Sequence, residues 1–392
     1  MRRPGSILAP ALRLLLVVDS LDVGGAERHV VGLASSLVNE GYSVTLACST
    51  DGSLAAEAER AGVTVRPVLK RLVKRCVDPH FALKLAELVR RERFDLVHAH
   101  MYASSAAAAT ATSGVGIPLV LTEHSEGAWR DSQARRLSGQ VYQQAKHVIA
   151  VSEGIRERLI RQEGLPAEKV SMIPNSLVPG PEPEADPPPG IGPSLREKPL
   201  VGMVARLQPE KGPGYFLEAA ARVASRLPEV NFLVVGDGPL REALESSTLE
   251  LGMSERVHFL GFRPDAQALI KLLAVLVVPS LSEGSPLVVL EAMSAGVPVI
   301  ASAVGGIPQQ IRHNCEGILV QPGDVEALSR SIFNLLSNPL KAQKMGEAGR
   351  KRLCTQFSHA SMIRRTAAVY QAALGGLVPE ALGRKGGVSS ER

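Results

Sequence analysis

The sequence predicts two doubly wound α/β domains, each a parallel β-sheet with helices on both faces. Three observations carry this reading. Short Leu-, Val- and Ile-rich runs alternate with helix-length segments along almost the whole chain, and continuous apolar strands separated by helices signal buried parallel sheets. The alternation breaks once, at Pro179–Pro193 (PGPEPEADPPPGIGP), which cannot join a sheet interior and acts as a semi-rigid spacer. Finally, 392 residues exceed what a single hydrophobic core usually serves.

In the first half, strands are expected at Arg13–Asp19, Ser43–Ser49, Val63–Val68, Leu96–His100, Leu119–Thr122 and His147–Val151. Helix patterns fill the gaps at Ala26–Glu40, Ser53–Ala61, Pro79–Glu92, Tyr102–Thr112 and Ser132–Lys146. After the proline-rich break, strands are expected at Leu200–Ala205, Asn231–Val235, Val257–Leu260, Val275–Val278, Val297–Ala301 and Gly317–Val320. The intervening helices are Pro213–Arg226, Pro239–Leu251, Asp265–Leu273 and Pro286–Ala295, with further helices to about Leu374. The resulting division is a Rossmann-like acceptor-side domain over 1–178, a linker over 179–199 and a Rossmann-like donor domain over 200–355. A helix over 356–374 packs back on the first domain in this scheme, and 375–392 form a disordered tail. Two such domains face one another across a cleft, and ligands of open α/β sheets bind beyond the carboxyl ends of the strands. The chemistry is therefore sought in the loops that follow strands.

Composition narrows the class. Hydrophobic residues make up 45%, charged residues 21% and aromatic residues 4%, which suits Ala-covered parallel strands and argues against a carbohydrate module built on aromatic platforms. The net charge of +5 is partly gathered in Leu69–Arg75 (LKRLVKR) and Arg90–Arg93 (RRER). These clusters are solvated helix faces or a contact for anionic lipid or phosphorylated substrates, and no aromatic-interleaved basic stripe points to nucleic acid. Cys48, Cys76, Cys315 and Cys354 form no CxxC or Cys/His pattern, so neither a disulfide framework nor a zinc site is expected and a reducing compartment fits. Pro4 and Pro10 interrupt the apolar start, which leads directly into a strand, and no run is long and apolar enough to span a bilayer. The expectation is a cytoplasmic protein with possible peripheral contact at the inner face of the membrane.

Four loops stand out. Asp22–Arg28 (DVGGAER) follows the first strand; adjacent Gly24 and Gly25 let a ligand approach the backbone and the N–H groups of a helix start. It is neither GxGxxG nor GxxxxGK[ST], which disfavours NAD binding and a P-loop, although any strand-to-helix turn can need glycine. His124 ends the fifth strand in Thr122-Glu123-His124, a cleft position or a structural histidine capping the next helix. Arg206 and Lys211 flank a tight turn (RLQPEKG) after the first strand of the second half, where a guanidinium fork and a point charge suit a diphosphate. The last is Pro279–Glu291 (PSLSEGSPLVVLE). Ser285 as N-cap with Pro286 at the first helical position fixes a helix start, Gly284 leaves room, and the N–H groups of Leu287 and Val288 favour phosphate. Glu283 lies ahead of this helix and Glu291 nearly two turns inside it, in an apolar stretch where a carboxylate needs a hydrogen-bond partner. Sugar hydroxyls suit both, and an ion pair with a neighbouring helix is the structural alternative for Glu291.

These motifs resemble the GT-B-fold glycosyltransferases of family 4, the large group of retaining, nucleotide-sugar-dependent hexosyltransferases. The matching segments are Asp19–Arg28, Val151-Ser, Ile173-Pro-Asn175-Ser, Arg206-Leu-x-x-x-Lys211-Gly, Gly236–Pro239, Glu283–Glu291 and Gly305-Gly306. The resemblance implies that Gly24 and Gly25 line the donor site near its phosphates and that His124 touches the transferred sugar. It further implies that Arg206 and Lys211 neutralise the diphosphate, Glu283 holds hydroxyls of the donor sugar and Glu291 binds the ribose. The backbone at Ser285, Leu287 and Val288 completes the donor cradle. The implied transfer retains anomeric configuration, with the departing phosphate accepting the acceptor's proton. It uses a nucleotide sugar as co-substrate and no other cofactor. No DxD occurs in the chain, so no metal requirement is expected. The implied acceptor is a glycan, a lipid-linked sugar or a small molecule. Ala205 stands where this family usually has glycine, Gln309 and Gln310 where an acidic residue is frequent, and Lys271–Ala274 lacks the frequent Asp. Donor sugar and base stay open, as do two neighbours of the same fold, a nucleotide-sugar 2-epimerase and an inverting transferase. A non-catalytic two-lobed sugar-binding protein is the reading from another class.

Overall fold

In the computed structural model, residues 11–73, 77–127, 132–178 and 191–375 are described. The chain divides into two units. One runs to Val151 and takes in Ile155–Ile173 and the chain from Ala360; the other comprises Ser152–Gly154 and Pro174–His359.

The first unit holds a seven-stranded sheet: β1 (Arg13–Ser20), β2 (Ser43–Thr50), β3 (Thr64–Pro67), β4 (Leu96–His100), β5 (Leu119–Glu123), β6 (His147–Ala150) and β7 (Val170–Met172), in the order β3-β2-β1-β4-β5-β6-β7. The second holds a six-stranded sheet: β8 (Leu200–Val204), β9 (Asn231–Val235), β10 (Val257–Gly261), β11 (Val275–Val278), β12 (Val299–Ser302) and β13 (Gly317–Val320), in the order β10-β9-β8-β11-β12-β13. Every pairing within both sheets is parallel.

The apolar runs form strands because both faces have a layer to bury against. Side chains of a strand alternate between faces, and in β1 Leu15 and Val17 join one core layer while Leu14, Leu16 and Val18 join the other. The same division recurs in β11, where Val275 and Val277 enter one layer and Leu276 and Val278 the other. Such residues each contribute about 1.5–3 kcal/mol when fully buried, so a charge at Val17 or Val277 would break a sheet at its centre.

Two differences from the sequence reading are short elements. β7 spans only Val170–Met172, and the helix Glu153–Arg161 precedes it. A three-residue run is too brief to show a period, and Glu153–Arg161 (EGIRERLIR) is more charged than apolar. The C-terminal helix His359–Ala373 sends Met362, Ile363, Val369 and Tyr370 into the layer that holds Leu14 and Leu16, and the Arg365 guanidinium donates to the Met172 carbonyl. Most of the proline-rich linker, Lys74, Arg75, Cys76 and the tail from 376 lie outside the described residues. No described helix is long and apolar enough to cross a membrane.

Both sheets carry a switch in strand order. The first winds from β1 outward to β3 and resumes at β4 on the other side of β1; the second does the same at β8 and β11. The crevices of a doubly wound sheet open at the carboxyl ends of such pairs.

Candidate active site

In the second unit, the loops after β8, β11 and β12 are held together by main-chain contacts. Past β8, a 3₁₀ turn Pro209–Lys211 ends at Gly212, whose φ of 63° is the left-handed conformation that glycine adopts readily. A Cβ there would lie 2.2 Å from the carbonyl oxygen of Pro279, so only glycine lets the β8 and β11 loops meet. The Leu281 N–H donates to the Glu210 carbonyl at 2.8 Å. On the far side, the Gly306 N–H donates to the Gly284 carbonyl at 2.7 Å.

This frame joins Lys211 to Glu283. Lys211 Nζ donates to Glu283 Oε2 at 2.8 Å, and Ser280 Oγ donates to Glu283 Oε1 at 2.8 Å. The Glu283 residue is 9% exposed and the Lys211 side chain 19%, so the pair is shielded but reachable. Each carboxylate oxygen has a further lone pair to offer. Arg206, just beyond β8, is exposed.

The helix after this loop begins at Leu287, with Pro286 in the N-cap position and no side-chain cap. That corrects the expectation that Ser285 caps it. Ser285 is claimed elsewhere: its hydroxyl accepts from Gln310 Nε2 at 3.2 Å and its carbonyl accepts from Asn175 Nδ2 at 2.8 Å. Gln310 Nε2 also donates to the Pro286 carbonyl at 3.1 Å. The amides of Leu287 and Val288 still belong to the first turn, where N–H groups have no intrahelical acceptor. Glu291 stands little more than one turn into the helix, half-buried, with Oε1 accepting from Gln267 Nε2 at 3.3 Å.

In the first unit, the helix Gly25–Asn39 starts from Gly24 in extended conformation. The Glu27 carboxylate folds back over Gly24, with Oε2 2.2 Å from where a Cβ would sit, whereas a Cβ on Gly25 would meet open space. The approach to this helix start is therefore open at Gly25 and acidic at Gly24. Asp19, at the end of β1, accepts from both the N–H and the hydroxyl of Ser104, at 2.9 and 2.6 Å. It thereby serves the first turn of the helix Tyr102–Thr112. Burial raises its pKa more than the Ser104 bonds lower it.

His124 follows β5 in a loop fixed from below. Glu123 accepts from the Tyr142 hydroxyl and the Ser125 N–H and lies 3.5 Å from Arg158, which also pairs with Glu163. His124 Nε2 is hydrogen-bonded to His100 Nδ1 at 3.1 Å. His98, one face-step back on β4, is bonded to the Tyr370 hydroxyl and to Thr122 Oγ1, both at 2.7 Å. His29, on the helix after β1, has its ring 5.1 Å from that of His124 and 5.7 Å from that of His100. Burial pushes His98 down to about 3, His124 down to about 4 and His100 well below its ordinary value, so all three are neutral at neutral pH. Met101, immediately after His100, has φ 68°, a strained conformation for a residue with a side chain.

Sequence reading found His124 but missed His29, His98 and His100. The signal was present in Leu96–His100 (LVHAH): two ionisable residues two apart in an apolar central strand share one face and must find partners.

Comparison with known proteins gives the family context. Residues 191–352 match the model described as Glycosyl transferases group 1, and residues 23–178 that described as Glycosyltransferase Family 4. A D-inositol 3-phosphate glycosyltransferase from Mycobacterium sp. (strain JLS) is 30% identical over 81% of this chain and 78% of its own length. The UDP-Gal:alpha-D-GlcNAc-diphosphoundecaprenol alpha-1,3-galactosyltransferase of Escherichia coli is 28% identical over 80% of this chain and 85% of its own. In fold, the chain is similar to Anabaena HepE in complex with UDP-glucose, with a TM-score of 0.78 at 22% identity over 92% of this chain and 100% of that one. A glycosyltransferase from Rickettsia africae gives a TM-score of 0.76 at 20% identity, over 93% and 99%. The two parallel-sheet units are those of the GT-B architecture.

Proposed function

The chain belongs to the family 4 glycosyltransferases, and from that premise we propose that it moves a hexosyl group from a nucleoside-diphosphate sugar to an acceptor hydroxyl with retention of configuration. The observation that supports this most is the Lys211–Glu283 pair, anchored where β8 and β11 lie side by side. In this reading Lys211 and Arg206 balance the charge that develops on the leaving diphosphate. The Leu287 and Val288 amides and the Ser285 backbone add preorganised donors. Glu283 keeps lone pairs for the hydroxyls of the donor sugar, and Glu291 exchanges its Gln267 contact for the ribose. Gly25 leaves a ligand room at its helix start, and an anion near Gly24 requires Glu27 to swing aside.

The depressed His124 bears on mechanism. A neutral imidazole does not protonate a leaving group at pH 7, so its role is to hydrogen-bond the transferred sugar. In this reading the departing phosphate is the base for the acceptor hydroxyl. No metal is assigned to the transfer, because cationic side chains and the helix start supply the positive potential.

UDP-glucose in HepE favours a UDP-linked donor. For the acceptor, the diphosphoundecaprenol named for the E. coli relative favours a lipid-linked sugar at an anionic membrane. Leu72 and Val77, exposed beside Lys70 and Arg71, support peripheral contact there. The test is incubation with UDP-, GDP- and ADP-sugars, following nucleotide release with and without lipid extract, and the product's anomeric configuration by NMR. No turnover with any donor sinks the transferase assignment, and an inverted product sinks retention.

A further inference from the structure

We propose that His29, His100 and His124 form a site for one zinc-class transition-metal ion that takes no part in the transfer and inhibits it. The three imidazoles come from three elements, the helix Gly25–Asn39, the end of β4 and the loop after β5. One ring nitrogen from each lies within 4.8 Å of the other two. A tetrahedral ion at about 2.0–2.1 Å from each ligand needs nitrogens about 3.3–3.5 Å apart. The His100–His124 approach of 3.1 Å already meets that spacing within a few tenths of an ångström.

The hydrogen bond between His100 and His124 leaves both rings incompletely satisfied. Each neutral imidazole has one N–H and one bare lone pair. If His100 Nδ1 donates to His124 Nε2, then His100 Nε2 is a bare lone pair and His124 Nδ1 an N–H; if the direction is reversed, so are the leftovers. Both leftover nitrogens are buried and have no hydrogen-bond partner. Either tautomer thus strands one donor and one acceptor out of water, each at about 1–3 kcal/mol. An ion coordinated by His100 Nδ1 and His124 Nε2 takes the place of their mutual hydrogen bond and fixes the proton of each ring on its other nitrogen.

The donor set selects the metal. Three neutral nitrogens with no carboxylate or thiolate among them suit Zn²⁺, Ni²⁺ or Cu²⁺ and not Mg²⁺ or Ca²⁺, which take oxygen ligands. A water completes the fourth position. His98 steadies the site through its ring, 4.1 Å from that of His100 and itself bonded at both nitrogens. Metal binding stands on this geometry alone; only inhibition rests on the proposed function, because an ion on His124 removes it from the sugar.

The experiment uses the tag-free full chain, stripped with chelator, in calorimetric titration with ZnCl₂ and in absorption with Co²⁺. One equivalent of Zn²⁺ per chain is expected, weakened at least tenfold in His29→Gln and in His100→Gln and unchanged in His80→Gln, a control at an exposed histidine. The wild-type Co²⁺ adduct should show the intense visible bands of a four-coordinate ion, a readout independent of whether the variants fold. Absence of stoichiometric binding, equal affinity in His100→Gln, or a weak six-coordinate Co²⁺ spectrum overturns the site. Donor turnover should fall on adding one equivalent of Zn²⁺ and recover with EDTA. Stoichiometric binding through these histidines with undiminished turnover would leave the metal site standing and remove His124 from the transfer.

Discussion

Replacing Gly305 by alanine would put a methyl group 1.7 Å from the carbonyl oxygen of Glu283 and 2.7 Å from its carbonyl carbon. Gly305 also has φ +55°, so alanine pays about 1–2 kcal/mol for the left-handed backbone before any contact is counted. Real Cβ atoms essentially never approach a neighbour closer than 3.0 Å, so one of the two loops must retreat by more than an ångström. The carbonyl belongs to the residue whose carboxylate is held by Lys211 and Ser280, and its displacement moves that carboxylate too. A misplacement of about 1 Å in a positioned group can reduce rate about 100-fold, or about 2.7 kcal/mol of barrier. Backbone strain and overpacking together should remove about 2–5 kcal/mol of stability, roughly 5–15 °C in melting temperature for a domain of this size. The assay is steady-state nucleotide release from the donor found by screening, beside a circular-dichroism melt. Gly214→Ala is the control, since a methyl there meets open space at ordinary φ; it should keep wild-type kcat/KM. If Gly305→Ala turns over within threefold of wild type, the contact does not position Glu283 for catalysis.

Lys211→Ala removes the cation beside a nearly buried carboxylate; we expect at least a 100-fold loss of kcat/KM with the fold intact by circular dichroism, and wild-type turnover would remove Lys211 from the donor site. Gln310→Glu replaces an amide that donates to two loop oxygens by a carboxylate that cannot; kcat/KM should drop about tenfold or more, and an unchanged value would show that the amide has no positioning role. Acid should destabilise the first unit through its histidines. Their folded values, about 3 for His98 and about 4 for His124, lie below the ordinary 6.5, so below pH 6.5 the unfolded chain binds the extra protons and stability falls with pH. Near pH 5 this amounts to about 2 kcal/mol for each ring, and a melting temperature that stays flat from pH 7.5 to 5 would contradict it.

What was legible in the sequence, and what was not, follows from how far the deciding contact lies along the chain. β11 reads from four apolar residues alone, because both its faces are buried and no partner need be known. Glu283 and Lys211 also read as unusual residues at strand ends. Their pairing did not, since 72 residues separate them and only the adjacency of β8 and β11 brings them together. The start of the helix after β11 shows the limit at a single residue. Ser285-Pro286 is a sound local signal for an N-cap at Ser285, yet the helix begins one residue later. Gln310 draws on the Ser285 hydroxyl from 25 positions away and Asn175 on its carbonyl from 110. A local rule ranks the options open to one side chain; it cannot rank a partner that topology supplies.

The histidines of the first unit carry that reasoning one step further. His98 and His100 alternate with Ala99 on a central strand, a position where sheet packing alone would place Val or Leu. His98 is accounted for by Thr122 and Tyr370, the latter 272 residues away on the C-terminal helix. His100 is not accounted for in this way, because its bond to His124 leaves a buried nitrogen on each ring without a partner. Stability gives no reason to keep that arrangement, since apolar residues at 100 and 124 together would remove both orphaned atoms, and replacing both partners of a buried hydrogen bond is nearly neutral. A group that is costly to bury, unpaired on one side and placed at the carboxyl end of the strand next to β1 is better explained by a ligand than by the fold.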